Sequence, residues 1–238
     1  MIISAVILDF DGLILDTETS IFEAWRAVFR EYQQELSVEV WGNALGTHGG
    51  YDPCAHLCEL TGLTLDSEVL RRRVHEAHIE QCLREPLLPG VLDVLHEARA
   101  QGLRTAVASS SSRGWVERWL AAHRIHHLFD TVCARDDVKR VKPAPDLFLL
   151  AAERLDVPPE RCLVFEDSPN GIRAARSAGM RCVAVPNAIS RMLPLPDPDL
   201  VVRSLAEIPL TSLIARLGCD IGGRPPERDG DENVSFEA

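Results

Sequence analysis

The run Ile2-Ile3-Ser4-Ala5-Val6-Ile7-Leu8 leads directly into Asp9-Phe10-Asp11-Gly12. A nearly continuous apolar stretch of this length predicts a strand buried on both faces, the kind that occupies the middle of a parallel sheet. Open parallel sheets place their chemistry at the carboxyl ends of the strands. Here that end carries two carboxylates, Asp9 and Asp11. Alternation along an extended chain would send both to the same side of the backbone. Acids held so close repel each other unless a cation or a shared proton lies between them. Gly12 then lets the chain turn sharply or approach a ligand closely.

Further strand ends repeat the theme. Leu103 to Ala108 runs into Ser109-Ser110-Ser111-Ser112, and Cys162 to Phe165 runs into Glu166-Asp167-Ser168. Between them, Val141-Lys142-Pro143 stands just before the amphipathic run from Asp146 to Leu155. The chain holds only two lysines, Lys139 and Lys142, against 23 arginines. Against that background Lys142 reads as a choice of a compact point charge.

From about residue 88 onward, strand and helix patterns alternate as an α/β, Rossmann-like doubly wound parallel sheet requires. Helices are predicted at 90–101, 113–123, 146–155 and 168–178, and strands at 103–108, 131–134, 162–165, 181–185 and 200–202. Residues 16–87 break the rhythm: Phe22, Trp25, Val28 and Phe29 recur at helical spacing, as do Leu57 with Leu60 and Leu70 with Val74. That segment reads as a helical bundle inserted into a core formed by residues 1–15 and 88–212. The Gly-, Pro- and acid-rich stretch 218–238 reads as a poorly ordered tail.

Composition narrows the function classes. A net charge of -11 argues against a nucleic-acid polymer as partner. No run reaches the length of a membrane span, and the first apolar stretch ends at Asp9 without a basic lead, so the expectation is a cytoplasmic protein. The seven cysteines include no C-x-x-C pair, and Cys54, His56 and Cys58 match no common zinc spacing.

Taken in order, Asp9-Phe10-Asp11-Gly12, the Ser109 strand end, Lys142-Pro143-Ala144-Pro145-Asp146 and Glu166-Asp167-Ser168-Pro169-Asn170-Gly171-Ile172 resemble the motifs of the haloacid dehalogenase superfamily. The resemblance spans roughly residues 1–210 and is nearest the β-phosphoglucomutase-like branch of sugar-phosphate phosphatases and mutases. It implies that 16–87 is an α-helical cap over the site. It also implies that Asp9 is a nucleophile forming an aspartyl-phosphate, with Asp11 as the general acid and base. Ser109, Ser110, Lys142 and the backbone at Gly12 would hold the phosphoryl group. Mg2+ would be bound by Asp9, Asp11 (through its backbone carbonyl), Glu166 and Asp167. Thr17, Glu18, His48, Tyr51 and Arg113 are candidates for substrate contact.

Within that superfamily the residues discriminate. An acid at Asp11 favours phosphoryl transfer over dehalogenation, and the absence of lysine from residues 13–88 excludes Schiff-base chemistry there. A mutase needs cations for a second phosphate, yet the cap stretch Leu45-Gly46-Thr47-His48-Gly49-Gly50 has no arginine, leaving Arg113 as the one replacement. The expectation is a magnesium-dependent phosphatase of a small phosphorylated metabolite, monomeric or weakly dimeric. The alternatives are a phosphosugar mutase and a non-catalytic binding protein.

Overall fold

The computed structural model describes residues 1–42, 45–46 and 51–222. Its centre is a parallel sheet built from β2 (Ala5–Leu8), β3 (Arg104–Ala108), β4 (Thr131–Cys133), β5 (Cys162–Glu166), β6 (Arg181–Ala184) and β7 (Leu200–Val201), in the order β4-β3-β2-β5-β6-β7. The strand order reverses on either side of β2, so β2 is the central strand. Its neighbours pair in register, with Leu8 opposite Val107 on one side and Phe165 on the other. The three strand ends that carry Asp9, Ser109 and Glu166 are therefore brought side by side by the ladder itself.

Both faces of the sheet are covered, which is why β2 is apolar at every position. Val6 and Leu8 pack with Val107, Leu163 and Phe165 under α5 (Val91–Ala100), α6 (Arg113–Ala122) and α9 (Leu210–Arg216). Ala5 and Ile7 face the opposite way, toward Leu147, Phe148 and Ala151 of α7 (Asp146–Leu155) and Ile172 and Ala175 of α8 (Pro169–Ser177). Small residues in that second layer (Ala106, Ala108, Ala174, Ala184) let these helices lie close to the sheet.

Between β2 and α5 the described residues form four helices, α1 (Thr17–Glu31), α2 (Val38–Trp41), α3 (Pro53–Thr61) and α4 (Ser67–Cys82). Their shared core holds Phe22, Trp25, Val28, Phe29, Leu57, Leu70 and Val74, the residues whose spacing announced it; Leu60 faces out instead. The Asp16 side chain caps α1 by accepting from the Thr19 N–H at 3.0 Å. The two connections back to the core meet, because the Leu88 N–H donates to the Ile14 carbonyl at 3.0 Å and Leu15 bridges Leu87.

Two sequence expectations are corrected. The first apolar run is two strands, not one: Ser4 bonds to Arg161 and Arg104, and β1 (Ile2–Ile3) leaves the main sheet. Its partner is β8 (Asp220–Ile221), which lies inside the stretch read as a poorly ordered tail. Asp220 donates to the Met1 carbonyl and Gly222 to that of Ile3, both at 2.7 Å, so residues 218–222 are part of the folded unit. Residues 223–238 lie outside the described residues. No helix among the described residues is long and apolar enough to cross a membrane.

Candidate active site

Asp9 follows the last residue of β2, and its N–H continues the ladder to the Phe165 carbonyl at 3.0 Å. The chain then turns at Gly12, where φ is +78°. A Cβ at Gly12 would lie 2.4 Å from Nδ2 of Asn187 and 2.7 Å from Oδ2 of Asp167, so only glycine fits this turn. The turn separates the partners of the acid pair: Asp9 faces Lys142, whereas the Asp11 carboxylate faces the serines after β3.

Lys142 is wholly buried and its ammonium contacts both Asp9 and Glu166, the latter at 2.5 Å. Burial alone would lower its pKa, but the two carboxylates hold it above the ordinary lysine value. The second oxygen of Glu166 accepts from the Ser168 N–H at 3.1 Å and the Ser168 hydroxyl at 3.0 Å. That hydroxyl also caps α8 by accepting from the Gly171 N–H at 3.1 Å. Asp167 is anchored through Oδ2 by Asn187 at 2.7 Å. Its Oδ1 is buried and has no hydrogen-bond partner among the described residues.

Asp9, Glu166 and Asp167 bring oxygens within 4.8 Å of one another, all three side chains being buried. One ammonium faces three carboxylates, so the cluster is short of positive charge. Burial raises the Asp9 pKa to about 8, with Glu166 and Asp11 adding to the rise and Lys142 opposing it. Burial and the charges of Glu166, Asp9 and Glu18 likewise push Asp167 well above the carboxylate range. Glu18, half-buried beside Gly12, is raised well above its ordinary value by burial and by Asp11 and Asp9. An all-oxygen donor set with an orphaned carboxylate oxygen suits a hard divalent cation such as magnesium.

Asp11 lies at the centre of a cradle of donors. Its Oδ1 accepts from the Thr17 hydroxyl and the Trp115 indole N–H, each at 2.8 Å. Its Oδ2 accepts from the hydroxyls of Ser109 at 3.1 Å and Ser111 at 2.6 Å. Thr17, expected as a substrate contact, thus meets Asp11 instead in this structure.

The remaining expected residues divide. Ser110 turns away from Asp11 and donates to the Gly46 carbonyl at 3.0 Å, while Asn170 donates to that of Leu45 at 2.8 Å. Two main-chain carbonyls of the insert are thereby seated on the core, one on the loop after β3 and one on the first turn of α8. Tyr51 is bonded to His56 at 2.7 Å and packs edge-on to Trp41 within the insert. The Arg113 guanidinium is engaged by Asp137 at 2.5 Å, Glu117 at 2.9 Å and the Val132 carbonyl at 3.0 Å. His48 lies outside the described residues.

Three residues of the site escaped the sequence reading. Ser111 was visible as part of the serine run. Asn187 ends the stretch after β6, a strand-end position of the kind that marked the other motifs. Trp115 gave no such signal, since a tryptophan four residues before Trp119 on a helix reads as core.

The model of the haloacid dehalogenase-like hydrolase family matches residues 6–185. YhcW of Bacillus subtilis is 42% identical over 215 residues, covering 90% of this chain and 98% of that protein. The fructose-1-phosphate phosphatase YqaB of Escherichia coli is 40% identical over 185 residues, covering 76% of this chain and 96% of that one. Among solved structures, CbbY of Rhodobacter sphaeroides in complex with phosphate superposes with a TM-score of 0.69 at 32% identity, covering 87% of this chain and 96% of CbbY. By sequence, by fold and by the convergence of its four motifs, this chain belongs to the haloacid dehalogenase-like hydrolases.

Proposed function

We propose that this chain is a magnesium-dependent phosphatase that hydrolyses a small phosphorylated metabolite, a sugar phosphate or a similar ester, through an aspartyl-phosphate on Asp9. The observation that carries the reading is the buried cluster of Asp9, Glu166 and Asp167 around the single ammonium of Lys142. The residues present fit a magnesium ion, which Asp9 and Asp167 would hold with Glu166 behind them. When bound, it supplies the positive charge that lets an anionic carboxylate approach a phosphate dianion.

The chain's own residues account for the rest. Lys142 opposes the rise in the Asp9 pKa and aims the side chain, so that a carboxylate oxygen forms the bond to phosphorus as the bond to the leaving oxygen breaks. Asp11 gives its proton to that leaving oxygen. In the second half-reaction Asp11 takes a proton from water as the water oxygen attacks phosphorus, releasing inorganic phosphate and restoring Asp9. Ser109 stands next to Asp11 and is placed to donate to the transferring group. The helical insert acts as a cap, docked on Ser110 and Asn170 and bringing Glu18 toward the acid cluster.

Two observations support hydrolysis over mutase chemistry. The cap stretch 45–50 has no arginine, and Arg113, the one candidate replacement, is committed to Asp137 and Glu117. Phosphate release should be screened across a panel of sugar, polyol and nucleoside monophosphates, with and without magnesium. Incubation of β-glucose 1-phosphate with a bisphosphate primer is the companion test. Free phosphate is expected, and accumulation of glucose 6-phosphate instead would overturn the phosphatase reading.

A further inference from the structure

Asp11 is held by four donors, and they are not equivalent. Three are hydroxyls, of Thr17, Ser109 and Ser111, each able to rotate its proton toward another acceptor. The fourth is the indole N–H of Trp115, whose direction is fixed by the ring and which can only donate. The ring is itself packed by other rings. His78, from α4 of the insert, packs against it at 4.9 Å between centroids and a tilt of 38°. Trp119, from its own helix, meets it edge-on at 5.4 Å and 77°. His78 is buried, and its Nε2 has no hydrogen-bond partner among the described residues, so what it offers the indole is ring packing.

We propose, resting on the phosphatase reading above, that Trp115 is a positioning residue: its indole N–H fixes one Asp11 oxygen so that the other is presented to the leaving group, and His78 of the insert holds the indole in that plane. A hydroxyl shell alone would let the carboxylate swivel as the serines re-aim at a phosphoryl group. One rigid donor prevents that. The arrangement also makes the orientation of Asp11 depend on the insert being seated, because one wall of the indole slot belongs to α4.

The test separates positioning of the acid from general damage. An alkoxide leaving from a sugar phosphate must be protonated, whereas para-nitrophenolate leaves unaided. Trp115→Phe keeps the ring and removes the N–H. For fructose 1-phosphate, or whichever sugar monophosphate the wild type turns over fastest, kcat should fall about tenfold or more with little change in KM, part of the range that general acid catalysis contributes. For para-nitrophenyl phosphate, kcat should fall less than about threefold, because that step does not draw on the acid. An unchanged ratio of the two rates, whether both hold or both collapse, overturns the proposal. Should Trp115→Phe not fold, replacing the indole nitrogen at position 115 with sulfur (benzothienylalanine) keeps the shape, and the same ratio decides. Failure of the wild type to release phosphate from either ester in magnesium would instead overturn the phosphatase reading and take this proposal with it.

Discussion

The Glu166 carboxylate occupies the space that a side chain at position 171 would need: a Cβ on Gly171 would lie 1.8 Å from Cδ and Oε1 of Glu166. The first turn of α8 therefore packs directly on a buried anion. Ser168 donates to that anion from its N–H and its hydroxyl, and the positive end of the helix faces it. Glu166 in turn contacts the Lys142 ammonium that touches Asp9. A missing methyl group thus sets where the lysine stands.

Gly171→Ala should accordingly act at a distance from its own position. The carboxylate cannot give way without leaving Lys142, so the expected cost is about 2–4 kcal/mol, the scale of overpacking combined with a disturbed buried ion pair. Urea denaturation of the variant checks the stability. Phosphate release should fall with it, and a variant as stable and active as the wild type would contradict the packing described.

Lys142→Met keeps a similar volume and removes the charge. Two buried carboxylates, Asp9 and Glu166, then lose their counter-ion, and breaking a buried pair in this way costs about 3–5 kcal/mol. The loss should show in urea unfolding and should be smaller in millimolar magnesium, since a divalent cation supplies part of the missing charge.

Asp9→Asn should reduce turnover of para-nitrophenyl phosphate to below about one per cent of the wild type with the far-UV circular dichroism unchanged, because an amide cannot attack phosphorus. Activity should vanish in excess EDTA and return with magnesium. Magnesium should also raise the melting temperature of the wild type, by mass action on the folded state. Asp167→Asn, which removes one of the three clustered carboxylates, should lose much of that thermal shift.

His78 gives a pH prediction of definite sign. Burial lowers its pKa from 6.5 to about 4, with His75 adding to the drop and Asp11 opposing it. The unfolded chain then binds a proton between these values that the folded chain does not. Its contribution is fully present above about pH 6.5 and is lost as pH falls toward 4. Asp9 and Asp167, raised by burial, act with the opposite sign and are common to both proteins. The difference in unfolding free energy between wild type and His78→Leu should therefore shift by about 2–3 kcal/mol against the wild type across that window. A flat difference would place His78 in solvent.

The residues that the sequence made legible are those tied to strand ends. Asp9, Ser109, Glu166 and Asp167 follow apolar runs that could only be central strands, and the ladder then aligns them without further information. Lys142 is not on a strand, and its rarity in an arginine-rich chain was the clue. The helical segment 17–82 was readable from its 3.6-residue periodicity. What stayed hidden depends on long-range placement. Trp115 meets Asp11 across 104 positions and Asn187 meets Asp167 across 20, and no local pattern encodes either bond. Arg113 stood out as the one cation near the serine run, whereas its partner Asp137 becomes a neighbour only once β3 and β4 pair. The short strand Asp220–Ile221 was masked by the glycine- and proline-rich residues that follow it.

Two of the contacts between the insert and the core, those to Asn170 and Ser110, use the carbonyls of Leu45 and Gly46, groups that every amino acid possesses. Gly46 alone is constrained there, by a φ of +68° and by Ser168, which a Cβ would meet at 2.0 Å. A latch made of main-chain atoms does not register which side chains flank it. A change of side chain at position 45 therefore leaves the acceptor of this contact where it stands.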